Sequence, residues 1–223
     1  MTALLLLGLL ACQPQQGTQA TAITDYEAAR DVFWRSLYAD GGNTLYCGVR
    51  FTPESRRGLN IEHVFPMGWV TNSLNCGTRK QCRQNSRQFN LIEADLHNLY
   101  PSRSDVNYQR SAFSFGHVGG ERREFGSQCD FEVDERARLA EPAPASRGEV
   151  ARAMFYMADR YRAQGLVLFK RQRSLLAQWH EDDPPSEAER RRNDRIESLQ
   201  GNRNPFVDNP ALVREKITRG EFN

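Results

Sequence analysis

Apolar residues recur at helical spacing near both ends of the chain, and short β-forming runs lie between them. Tyr26, Ala29, Phe33 and Leu37 share one helical face, so Thr24–Leu37 is predicted to be a helix. Thr24 and Glu27 stand at capping-box spacing at its start, and Gly41-Gly42 ends it. Thr44–Phe51 is rich in β-formers and predicts a strand. Ile61–Trp69 is short, apolar and interrupted by Pro66, which reads as a strand end running into a loop. Residues 70–90 are polar and hold two nearby cysteines, so a stapled loop is expected there. A short helix is expected over 103–113, opening near Ser104. Val150, Met154, Met157 and Tyr161 form the apolar stripe of a helix over Glu149–Gln164. Pro184-Pro185 breaks the chain, and Ser186 with Glu189 opens a basic helix to about Gln200. Residues 201–210 read as a loop. No repeat or linker divides the chain, so a single mixed α+β domain is predicted.

Composition refines this picture. The chain has 223 residues, 39% hydrophobic and 10% aromatic, which suits one domain with a substantial core. The formal charge is only +2, so any surface that attracts a polyanion must arise from uneven distribution. The distribution is uneven: between Arg56 and Arg87 stand Arg56, Arg57, Arg79, Lys80, Arg83 and Arg87, and Glu62 is the one acid among them. A solvated basic loop is the plain reading of such a run; a lone acid within it is also a candidate metal ligand.

Ala3–Leu10 is mostly leucine and too short to span a bilayer, which takes about 20 residues. It reads as an export signal over residues 1–11. The run Leu9-Leu10-Ala11-Cys12 resembles a bacterial lipoprotein signal, in which the cysteine becomes lipidated, although no Lys or Arg precedes it. Residues 12–23 form a tether, and the folded domain is expected over 24–223. Setting Cys12 aside leaves Cys47, Cys76, Cys82 and Cys129, an even number that suggests two disulfides in an exported chain. Three pairings are open; in one of them Cys76 and Cys82, close in sequence, staple a short loop and leave Cys47 with Cys129. Zinc binding is the weaker alternative, because no C-x2-C spacing is present.

Four histidines occur: His63, His97, His117 and His180. His63 follows Glu62 at the predicted strand end. Hydrolysis of a phosphodiester needs an activated water, stabilisation of charge on the phosphate, and a grip on the phosphate itself. Histidine suits the first near neutral pH. A divalent cation suits the second, and Mg2+ needs few protein oxygens because it keeps several waters. Arginine suits the third. His63, Glu62, Asn107 and Arg79 meet that list, although chance alone assembles such sets in polar chains.

Five segments carry a resemblance: LYCG (45–48), IEHVFP (61–66), TRKQC (78–82), FNLIEADLHNLYPSRSDVNYQRSAF (89–113) and GNRNPFVD (201–208). Together and in this order, they resemble the bacterial endonuclease I family of periplasmic and extracellular nucleases. The resemblance implies a ββα-metal motif clamping one Mg2+. It implies Glu62 and Asn107 as metal ligands, His63 as general base and Arg79 as the phosphate-binding residue. His97 and Asn98 stand in a family motif, and buried support of the site is the expected role of His97. Cys47-Gly48 is followed by Val49, where the family often has a second cysteine, and the segment between His63 and Arg79 is shorter than in familiar members.

DNA, and also RNA, is the implied substrate, cut with little sequence preference because no recognition-helix pattern is evident. Backbone contacts are expected from segment 56–87 and from Arg190 and Arg191 on the basic helix. Arg203 is expected either to approach the phosphates or to fix its own loop. The protein is expected to be a monomer in the periplasm, outside the cell or on its surface, touching a membrane only through a lipid at Cys12. A non-catalytic nucleic-acid-binding lipoprotein, another metal hydrolase and a structural surface protein are the rival readings.

Overall fold

The computed structural model describes residues 23–120 and 122–222. The segment expected to be an export signal, Cys12 and nearly all of the expected tether lie outside the described residues. Helix α1 spans Tyr26–Val32 and widens into a π-helical turn over Phe33–Leu37. Its cap is Asp25 and not Thr24: the Asp25 carboxylate accepts the Ala28 N–H at 3.0 Å. The strand expected over 44–51 is a tight turn between two stubs, β1 (Gly42–Asn43) and β2 (Arg50–Phe51). Thr44 closes that turn: its carbonyl accepts the Gly48 N–H and its hydroxyl accepts the Val49 N–H. Gly48 adopts φ +62°, which suits glycine.

Strand β3 (Leu59–His63) is followed by α2 (Met67–Leu74), α3 (Arg79–Asn85) and α4 (Arg87–Glu93). The loop expected over 70–90 is therefore helical. Its polarity reflects helices with one thin buried side, and two caps carry them: Thr78 with Gln81 forms a full capping box, and Ser86 caps α4. A 3-10 turn (Leu96–Asn98) leads into β4 (Leu99–Arg103), which pairs antiparallel with β3. Helix α5 (Ser104–Arg110) follows directly, as expected.

Strands β5 (Ser114–Phe115), β6 (Phe131–Asp134) and β7 (Leu139–Pro142) form a small sheet in the order β5-β7-β6. The rest is helical: α6 (Pro144–Arg160), α7 (Lys170–Asp182), α8 (Glu187–Gln200), α9 (Pro205–Asp208) and α10 (Ala211–Thr218). Helix α6 starts five positions before its expected residue 149, with Pro144 in its first turn, where a missing N–H costs nothing. Ser186 caps α8 as expected, but Glu189 does not complete the box. Its carboxylate instead meets the buried Arg152 of α6 with two hydrogen bonds of 2.6 Å. The loop expected over 201–210 contains α9, capped by Asn204.

The main core gathers around α6, whose residues from Val150 to Ala158 are all buried. Gly148 lets α6 approach the end of α7, because a Cβ there would lie 1.9 Å from the Asp183 carbonyl oxygen. A smaller cluster of Ala29, Phe33, Leu37, Ile61, Leu96, Leu99 and Ile196 packs α1 and α8 against the β3–β4 pair. Disulfides join Cys47 to Cys129 and Cys76 to Cys82, one of the three open pairings, so none of these four sulfurs is a thiolate for zinc. The mixed α+β fold is as predicted. Among the described residues, no helix is long and apolar enough to cross a membrane.

Candidate active site

Strand β3 carries Glu62 and His63, paired across the ladder with Tyr100 and Leu99 of β4. Both stand within regular strand, so their side chains diverge. Helix α5 packs against β3 and brings Asn107 to it. The Asn107 NH2 donates to Asn60 Oδ1 at 2.9 Å and to the Ile61 carbonyl at 3.2 Å. A carbonyl can only accept, so this fixes the amide orientation and leaves Asn107 Oδ1 for another partner. Glu62, His63, Asn107, Arg79, Tyr26 and Tyr108 all border one cleft of about 590 Å3.

Glu62 is buried. Its Oε1 accepts the Tyr46 hydroxyl at 2.7 Å and lies 3.1 Å from Arg110 Nε. Arg110 is itself fully buried and held by the Val64 and Ser111 carbonyls. Burial pushes the Glu62 carboxyl up, and Arg110 and Tyr46 oppose that shift.

His63 turns the other way, beside the Tyr26 ring. Its Nε2 lies 3.0 Å from the Glu93 backbone oxygen. That oxygen requires a donor, so Nε2 carries the proton and Nδ1 holds the free lone pair. Burial, with Arg79 nearby, lowers the imidazole to about 3, so it is neutral at ordinary pH.

Glu93 joins the site a second time through its side chain, which is completely buried. Its carboxylate meets Arg79 Nε at 2.5 Å, and Arg83 at 2.8 and 3.0 Å. Both arginine side chains remain nearly half exposed, and both stack over Tyr26. Two cations held by one anion leave a net positive rim beside the cleft. Arg79 opens α3, where the helix dipole disfavours a cation; Glu93 offsets that disadvantage.

The Glu62 carboxylate and the Asn107 amide oxygen are the candidate metal ligands at the cleft. Among the described residues, no three His, Cys, Asp or Glu side chains form a metal-binding group. An open pair of oxygen donors fits a hard cation that keeps most of its water, and Mg2+ is such a cation.

The other expected residues lie elsewhere. His97 is buried and donates from Nε2 to the Asn202 carbonyl at 3.1 Å; burial lowers it to about 4. Asn98 brackets the Phe65 backbone, accepting its N–H at 2.7 Å and donating to its carbonyl at 3.0 Å, which steadies the chain just after His63. Arg190 donates to the Val207 and Pro185 carbonyls, and Arg191 pairs with Glu187. Arg203 is held by Asp194, Glu197 and Asp208, the loop-fixing arrangement. None of these arginines borders the cleft. Within the basic segment, Arg56 is tied to the Tyr38 and Ala39 carbonyls. His117 pairs with Glu141, and His180 is buried against the Pro210 carbonyl. Sequence reasoning missed Tyr26, Tyr46, Glu93 and Arg110 as members of the site. Three of them lie inside or beside motifs that carry the resemblance, but no local pattern marks which of their atoms reach His63 or Glu62.

Comparison with known proteins places the chain in a family. The sequence profile of the Endonuclease I family matches residues 9–211. An extracellular deoxyribonuclease of Aeromonas hydrophila is 34% identical, over 92% of this chain and 95% of its own length. A periplasmic deoxyribonuclease of the same organism is 33% identical, over 91% and 92%. An extracellular ribonuclease of Bacillus subtilis is 33% identical over 54% of this chain and 46% of its own. With its ββα site and a match along nearly its whole length, the chain belongs to the endonuclease I family.

Proposed function

We propose that this protein is an exported, Mg2+-dependent endonuclease that hydrolyses DNA and RNA with little sequence preference. The observation that carries the reading is His63: its proton sits on Nε2, held by the Glu93 carbonyl, in a cleft shared with Glu62, Asn107 and Arg79. His63 Nδ1 takes a proton from the attacking water as its oxygen bonds to phosphorus, and the bond to the leaving ester oxygen breaks. Arg79 grips the non-bridging phosphate oxygens, which carry growing negative charge. Burial depresses His63 most, and a phosphate on Arg79 offsets the part that this cation adds. Glu62 and Asn107 would hold the Mg2+, which when bound supplies positive charge at the phosphate and leaving oxygen. Tyr46 and Arg110 orient the Glu62 carboxylate for that task.

The named activities and locations of the relatives support a nuclease that works outside the cytoplasm. Low sequence preference rests on the sequence, in which no recognition-helix pattern is evident. The test is the disulfide-bonded protein incubated with supercoiled plasmid and with RNA, in Mg2+ and in EDTA, beside His63→Ala and Glu62→Ala. Cleavage is expected in Mg2+ alone and is expected to fall at least about a hundredfold in each variant. A folded wild-type protein that leaves both polymers intact over a range of divalent metals would refute the reading.

A further inference from the structure

Tyr108 follows Asn107 on α5 and borders the same cleft, yet it is 82% exposed, more than Phe169 or Val167, the other exposed large apolar side chains described. Among the described residues, no hydrogen bond or ring contact holds that aromatic ring. The helix is anchored through its neighbours: Val106 and Arg110 are buried, and the Asn107 amide is pinned to β3. The Tyr108 backbone is therefore held in place while its ring stands free. On its own helix and the turn that follows, the cleft lining is small: Ser104, Ser111 and Ala112, the last two three and four positions after Tyr108. That leaves room for a flat group against the ring, one residue from a candidate metal ligand.

We propose that Tyr108 is a substrate-positioning residue, on which an unpaired base next to the scissile phosphate stacks. This rests on the cleft being the nucleic-acid site. Every base has a π-face, so stacking on Tyr108 tolerates any sequence and serves DNA and RNA alike. A base inside a duplex already has its two faces covered, so Tyr108 discriminates in favour of single-stranded, frayed or nicked substrate. Arg79, on the same cleft, would take the phosphate while Tyr108 takes the base.

The test uses the His63→Ala protein and a fluorescein-labelled twelve-nucleotide single-stranded DNA, with binding read by anisotropy and stacking by quenching of a 2-aminopurine placed in the same oligonucleotide. Tyr108→Ala is expected to weaken binding about tenfold and to abolish the quench, since base–aromatic stacking is of that order. Tyr108→Phe, which keeps the ring, is expected to stay within about twofold and to preserve the quench. In the active protein, Tyr108→Ala is expected to raise KM for single-stranded substrate about tenfold while kcat changes little, and to raise KM less for a blunt duplex. Unchanged binding in Tyr108→Ala overturns the proposal, as does a Tyr108→Phe variant as weak as the alanine one. The plasmid assay decides the nuclease reading separately: a protein that binds through Tyr108 but cuts nothing would lose that reading and keep this one.

Discussion

Glu93 supplies no reacting atom in the proposed chemistry, but His63, Arg79 and Arg83 all depend on it. Its backbone oxygen sets the His63 tautomer, and its carboxylate aligns two guanidinium groups. These two tasks can be separated by mutation, because one belongs to the main chain. Glu93→Gln keeps the carbonyl on His63 but removes the negative charge between Arg79 and Arg83. Its kcat/KM is expected to fall about 10- to 100-fold, because a misplaced phosphate clamp of this kind costs about that much. The loss should appear in kcat as well as in KM, because Arg79 meets charge that grows towards the transition state. A variant with full activity would show that Arg79 finds its place without the carboxylate.

At the level of elements, the site depends on two strands that are far apart in sequence. Helices α2 to α4 are inserted between β3 and β4, and the Cys76–Cys82 bridge ties the end of α2 to α3. The chain leaving β3 is held by Asn98, whose side chain satisfies both backbone groups of Phe65 and whose carbonyl accepts the Val64 N–H. Asn98→Ala would leave a buried donor and acceptor without partners, which costs about 2–4 kcal/mol in all. The thermal midpoint is expected to drop by about 4–16 °C on the scaling for a domain of this size. Thermal unfolding followed by circular dichroism checks this, and a shift under about 2 °C would mean that the loop repairs itself with water.

Over the whole molecule, a buried carboxylate joins the helical layer to the site. Asp95 accepts hydrogen bonds from Tyr156 and Tyr161 at the end of α6 and its following turn, from Gln200 at the end of α8, and from the His97 N–H. His97 sits in this network as a neutral ring with its pKa lowered to about 4, against 6.5 for an ordinary histidine. The unfolded chain therefore takes up a proton before the folded one does. The His97 contribution to stability is complete above about pH 6.5, falls as the pH drops towards 4, and is level below that. A tenfold change in proton affinity is worth about 1.4 kcal/mol, so the loss across that range is about 3 kcal/mol. Urea unfolding of wild type and His97→Asn at pH 7.5 and pH 4.5 isolates this contribution from buried carboxylates that titrate in the same window. The wild-type advantage is expected to shrink by about 2–3 kcal/mol at the lower pH. An advantage that stays constant would contradict a neutral, buried His97.

Local chemistry made part of this protein legible from its residues alone. The Ser186 cap of α8, the opening of α5 at Ser104 and the short Cys76–Cys82 staple act over a few residues, so they survive without knowledge of the fold. The ordered motifs likewise singled out Glu62, His63, Arg79 and Asn107, which the fold brings to one cleft. Residues 44–51 and 70–90 misled because β-forming composition and polarity are weak signals, overridden by Gly48, by the capping residues and by packing on one thin side. Tertiary structure alone decided the rest. Whether Arg203 meets phosphate or three carboxylates, which ring nitrogen of His63 is protonated, and what Glu93 holds are all set by contacts with groups distant in sequence or by side-chain direction. Such contacts leave no periodicity in the chain, because each depends on where a backbone elsewhere has already been folded.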